Sequence, residues 1–201
     1  MRCHTAAMAL VRSFALLLLL LCASCTSLVF APERVEQPAA VFVLREALHI
    51  GLLLPDPVDA PQRWIEYGYG DWSWYALGNE SWWRVFPTVL WPTAATLCRR
   101  EWVARDEDDL ARLVTARGCE VDRVVVERAR VETLANELSA KFRDGAEVRR
   151  DELRMDFVRE DGGYWMGNTC ADVAAEWCKA LGCDVGWVLI RGSLRAKAPP
   201  Q

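Results

Sequence analysis

Asn168-Thr169-Cys170-Ala171-Asp172-Val173, running on through Ala174, Trp177 and Cys178 to Leu181-Gly182, carries the clearest pattern in the chain. Cys170, Val173, Ala174, Trp177, Cys178 and Leu181 recur three and four positions apart, which places them on one continuous face of a helix spanning Asn168 to Leu181. Asn168 or Thr169 can cap its start, and Gly182 stands where a left-handed residue closes the end. A helix with such a face needs a sheet or other helices to cover it, so the elements around it decide the fold class.

Short apolar strands are expected over Val41–Leu44, His49–Leu54 and Arg63–Tyr67, the last stopped by Gly68 and Gly70. Asp71 can cap the aromatic segment Trp72–Leu77, and Asn79 to Leu97 reads as short helices or loops broken by Pro87 and Pro92. Asp106–Arg117 is an acidic-started amphipathic helix ended by Gly118, and Val121–Glu127 is a β-branched strand. In Val131–Phe142, Leu134, Leu138 and Phe142 share one helical face. Leu153–Val158 and Val185–Ile190 complete the set as strands. Strands and helices mixed in this order point to an α+β fold.

The chain has 201 residues, 52% hydrophobic and 26% charged, with a net charge of −4. That composition excludes disordered, fibrous and multi-pass membrane classes, and the acidic balance excludes a nucleic-acid partner. The ten tryptophans imply a large aromatic core, a surface that meets lipid or sugar, or both. Trp72, Trp74, Trp82, Trp83 and Trp91 follow one another closely; most read as core, and some as cleft wall or lipid contact. At the N-terminus, Arg2 and Arg12, the run Phe14–Leu21 and the small pair Ala23-Ser24 make residues 1–24 an export signal. Leu21-Cys22-Ala23-Ser24-Cys25 resembles a bacterial lipobox, which implies lipidation at Cys25, and Thr26 after it resembles outer-membrane sorting. Residues 25–40 then read as a lipidated terminus and tether, and 41–201 as the domain. The expected location is the cell envelope, periplasmic and anchored to the outer membrane.

Besides Cys25, the exported chain holds Cys98, Cys119, Cys170, Cys178 and Cys183, an odd number that leaves one free thiol in an oxidising compartment. Cys178 with Cys183, or Cys98 with Cys119, are pairs that keep Cys170 free; Cys170 with Cys183 is the structural alternative. One histidine and no paired CxxC motif speak against a zinc site, and no cofactor is expected. Cys170 lies in a first helical turn, where the dipole and unpaired N–H groups favour a thiolate and can hold an oxyanion. His49, the histidine of the exported chain, begins an apolar strand beside Gly51. Glu66 on the next strand is the first candidate to orient its ring, and Asp71 the second. Thiol, imidazole and acid are the three parts of a thiol hydrolase.

His49-Ile50-Gly51-Leu52, then Glu66-Tyr67-Gly68-Tyr69-Gly70-Asp71, then Asn168-Thr169-Cys170 with Gly182 resemble the bacterial family known as domain of unknown function 2459. Its members read roughly HTGL, EFGWGD and NNCNTW…ALRAAG. The resemblance spans about Val41 to Asp184. Here Thr169 stands for the family's asparagine before the cysteine, Ala171-Asp172-Val173 for its Asn-Thr-Trp, and Ile50 for its threonine. That family is similar to the circularly permuted branch of the papain-like (NlpC-type) fold, an antiparallel sheet with packed helices. The resemblance implies a Cys170–His49–Glu66 site, with Asp71, Asn168 and Thr169 around the substrate or oxyanion. The implied activity is hydrolysis or acyl transfer at an amide or ester of the envelope, in a peptidoglycan peptide, a lipoprotein or a lipid ester. The competing expectation is a non-catalytic envelope lipoprotein that binds a partner through its Trp-rich surface.

Overall fold

Strands supply most of the scaffold. The computed structural model describes residues 26–47, 49–56, 62–81, 83, 91–188 and 190–197; the export signal expected at 1–24, Cys25 and Trp82 lie outside them. In chain order the strands are β1 (Thr26–Phe30), β2 (Pro38–Glu46), β3 (His49–Pro55), β4 (Arg63–Asp71), β5 (Thr93–Val103), β6 (Glu120–Glu127), β7 (Val148–Arg150), β8 (Met155–Tyr164), β9 (Asp184–Val185) and β10 (Ser193–Lys197). The helices are α1 (Glu107–Thr115), α2 (Arg128–Ala140) and α3 (Cys170–Ala180), with a π-helical turn at Trp72–Ala76. Seven strands form one antiparallel sheet in the order β6-β2-β3-β4-β5-β8-β7, and β10-β1-β9 form a small second sheet. The fold is therefore α+β, mostly antiparallel.

Alternation along the strands gives the large sheet two apolar faces, each covered by helices. On one, Val41, Val43, Ile50, Leu52, Leu54, Tyr67 and Leu97 pack under α2 and α3. On the other, Phe42, Leu44, Leu53, Trp64 and Trp102 pack under α1, and Cys98 and Phe157 pack under the π-helical turn. Leu44, Leu52, Leu53 and Leu54 are wholly buried, each contributing about 1.5–3 kcal/mol.

Three departures from the sequence reading position the site. First, β4 runs straight through Gly68 and Gly70 to Asp71. These glycines are slots rather than stops. A Cβ on Gly68 would lie 2.7 Å from His49 Cε1 and 2.9 Å from Cys98 Sγ, and one on Gly70 would strike the ring of Tyr75, so each strand position yields its volume to a ring lying flat on the sheet. Second, β5 is a central strand where a loop and then an unassigned charged run were expected. Its Arg99-Arg100-Glu101 resembles a solvated stretch, yet Arg100 sits directly opposite Glu66 in the register and is buried by pairing with it. Third, residues 25–40 are not one long tether. Thr26–Phe30 is inserted between β10 and β9 with Val29 fully buried, and Pro38–Ala40 already pairs with β6. The closing strand is Ser193–Lys197; of Val185–Ile190, Asp184–Val185 alone reaches into a strand, and Leu189 lies outside the described residues.

Candidate functional site

The helix expected at 168–181 forms as α3. Thr169 is its N-cap and Asp172 answers it in a capping box: the Thr169 N–H and hydroxyl donate to Asp172 at 3.0 and 2.9 Å. Such reciprocal capping satisfies two orphan donors of the first turn. Gly182, at φ +88°, closes the other end, with its N–H on Lys179 O at 2.9 Å and the Cys183 N–H on Cys178 O at 3.0 Å, the two bonds of a Schellman motif. The first turn is further pinned by Arg191, which donates to Asp172 at 2.8 Å and to Ser27 Oγ at 2.9 Å.

This capping delivers the Cys170 sulfur to one end of the large sheet. The ladder between β3 and β4 ends at Gly51–Gly68. One residue beyond, the Ile50 N–H donates to Cys170, as do the Tyr164 hydroxyl and the N–H groups of Ala171 and of Cys170 itself. Burial pushes the thiol above its ordinary value, and these donors pull it back. The sulfur is thus enclosed yet ringed by groups that favour negative charge, which is the environment a helix N-terminus provides to an anion.

His49, next to Ile50, projects from the opposite face of β3. Its ring lies over Gly68 beside Cys98, with the Tyr75 ring centroid 5.3 Å away. The Cys170 sulfur acts on that same Tyr75, pushing its phenol up together with burial. Neither ring nitrogen of His49 has a hydrogen-bond partner among the described residues, although the side chain is buried. Burial and the nearby Arg100 charge lower its pKa to about 4, so the imidazole is neutral near pH 7.

Glu66 is wholly buried on the same face as His49, but its carboxylate is spent elsewhere. Arg100 donates to it through Nε at 2.9 Å and Nη2 at 3.0 Å, and Trp102 Nε1 donates at 2.8 Å. Burial pushes this carboxyl up, against the pull of Arg100 and Trp102. The hydrogen bond expected from Glu66 to the imidazole is not made. Asp71, the second candidate, accepts from the Trp74 N–H at 2.7 Å and the Thr93 hydroxyl at 2.5 Å; it caps the π-helical turn that holds Tyr75 in place. Asn168 donates to Gly163 O at 2.8 Å and to the Tyr69 hydroxyl at 3.1 Å, and Thr169 is fully occupied as the cap. These three shape the walls of the site.

Sequence reasoning missed Tyr164, Tyr75 and Cys98. The signal for Tyr75 was present: an aromatic a few residues after a strand glycine has a flat bed to lie on. Nothing local marks Tyr164 as a sulfur ligand. Among the described residues no disulfide joins the five cysteines, all of them buried, so the pairs expected between Cys178 and Cys183 or Cys98 and Cys119 are not formed. Burial pushes Cys178 to about 12 and Cys183 to about 11; neither has a ring of donors like that around Cys170. No protein-family model, curated protein or solved structure matches the chain.

Proposed function

We propose that the protein is an exported thiol hydrolase or acyltransferase of the cell envelope, with a circularly permuted papain-like fold of the kind its motifs resemble. Cys170 is the nucleophile and His49 the base. The observation that supports this reading is the bond from the Ile50 N–H to the Cys170 sulfur, because it brings the thiol to the backbone of the residue next to His49, whose ring projects from the other face of β3. Thiol and imidazole start neutral. As the sulfur attacks an ester or amide carbonyl, its proton passes to His49, which returns it to the leaving group. The N–H groups of Cys170 and Ala171 hold the oxyanion. Glu66 acts at one remove, by fixing Arg100, whose charge adds to burial in keeping His49 deprotonated. Lipid at Cys25 would hold the enzyme on the outer membrane, where peptidoglycan peptides, lipoproteins and lipid esters are the candidate acyl donors.

The test is alkylation of the folded protein across pH, read by peptide mass, alongside turnover of a panel of activated esters and amides. Cys170 should label faster than Cys178 and Cys183, Cys170→Ala should abolish turnover, and His49→Ala should lower it by roughly 10²–10⁴-fold. Turnover surviving in Cys170→Ala overturns the reading. The burial of Cys170 and the engaged Glu66 carboxylate favour a second reading, a non-catalytic envelope lipoprotein; equal labelling of all cysteines would support it.

A further inference from the structure

Large apolar side chains left in water are unevenly placed. Trp91, Trp165, Met166, Trp187 and Ile190 are all exposed, Trp187 by 82%. They sit on three loops that meet at the Cys170 end of the molecule. Leu77, exposed as well, lies away from this end, between Ala76, which packs with Met155, and Gly78, which lies against Arg150. Trp91 precedes Pro92, which packs on Gly163 beside Tyr164. Trp165 and Met166 lie in the tight loop closed by the Asn168 N–H on Trp165 O at 2.8 Å, immediately before the cap of α3. Trp187 and Ile190 precede Arg191, whose carbonyl lies 3.4 Å from the Thr169 hydroxyl. Away from this end Val103, at the far end of β5, and Leu113, on α1, are exposed singly, with no exposed tryptophan beside them in the chain.

The chain also enters the domain here. Thr26 pairs with Ser193, and Ser27 accepts from Arg191, the same side chain that grips Asp172 in the first turn of α3. Cys25, the residue read as lipidated, directly precedes Thr26 in the chain, so an anchor there would be joined to this end. Among the described residues no helix is long and apolar enough to cross a membrane. A single lipid or short apolar anchor binds a bilayer marginally, and stable attachment needs a second contact. Exposed tryptophans with neighbouring aliphatic side chains are the kind of contact that settles at headgroup level.

We propose that this end lies against a lipid bilayer, so that the mouth above Cys170 faces the membrane and receives acyl donors carried in its interface. The orientation rests on the lipid anchor read at Cys25, and the choice of donor on the acyl-transfer reading.

The full chain is reconstituted in phosphatidylcholine vesicles with and without brominated lipid. The added fluorescence of Ile190→Trp should be quenched roughly twofold more than that of Val103→Trp, and raising salt should leave the difference in place, because the contact is apolar. Equal quenching at both positions, or a difference that salt abolishes, overturns the orientation. A double variant, Trp187→Ser with Met166→Ser, should lower turnover of a vesicle-borne ester about tenfold while sparing a water-soluble ester; an equal fall in both overturns the interfacial donor. If Cys170→Ala leaves both turnovers intact while the quenching contrast persists, the acyl-transfer reading fails and the orientation survives.

Discussion

Two buried polar groups share one face of the large sheet and are treated in opposite ways. Glu66 receives three hydrogen bonds from Arg100 and Trp102. His49, on the neighbouring strand and nearly as enclosed, receives none from the described residues. Natural cores satisfy nearly all buried polar atoms, so a bare imidazole needs a reason while a saturated carboxylate does not. The contrast separates holding the fold from keeping a proton acceptor available. The glutamate, read from sequence as part of the chemistry, serves chiefly the first purpose.

The contrast breaks most visibly at Glu66. Glu66→Ala leaves the Arg100 guanidinium buried and unpaired, and should cost about 3–5 kcal/mol in urea unfolding. Replacing both partners by apolar residues, Glu66→Leu with Arg100→Met, should recover most of that loss. A neutral Glu66→Ala would show that the pair is not where the stability resides.

For His49 the lever is acid. Its pKa in the folded state, about 4, lies below the ordinary 6.5, so the unfolded chain takes up the proton first as pH falls through that window. Stability that is complete above pH 6.5 is lost on the way down, by on the order of 3 kcal/mol at pH 4. His49→Leu should remove this part of the acid sensitivity, read as the difference between the two unfolding free energies across pH. Parallel curves would mean that the ring is solvated after all.

Gly68→Ala sharpens the geometry. The new methyl meets both the His49 ring and Cys98 Sγ, so a loss of about 1–3 kcal/mol is expected, with a shift in the alkylation profile of Cys170. Smallest is Tyr164→Phe, which removes one donor from the sulfur. It should raise the thiol's apparent pKa by less than one unit, in line with about 1 kcal/mol for a single hydrogen bond, with stability little changed.

How much of this was legible in the sequence depends on whether the cause was local. The face of α3, its Thr169 cap and the Gly182 terminus follow from residues that touch one another along the chain, and they formed as read. So did β2, β3, α1 and α2, whose apolar periodicity is unbroken. β5 was missed because Arg100 looks solvated until the strand carrying Glu66 is laid beside it, and register is not a local property. Gly68 and Gly70 misled for a similar reason: a strand glycine looks like a stop unless the ring it accommodates is known. Motif order led to the expectation of a Cys170 sulfur within hydrogen-bond reach of the His49 ring; among the described residues that bond is not made, and the sulfur meets the Ile50 N–H and the Tyr164 hydroxyl instead, donors from parts of the chain with no pattern to announce them.

The pairing of β1 has a consequence for how the molecule comes into being. Its partners are Asp184–Val185 and Ser193–Lys197, so the earliest described strand has no place to dock until the last one has been made. Contacts of such sequence separation form late and slowly. During synthesis Thr26–Phe30 must wait, unpaired, for the tail of the polypeptide to arrive, and the small sheet is the final piece to close.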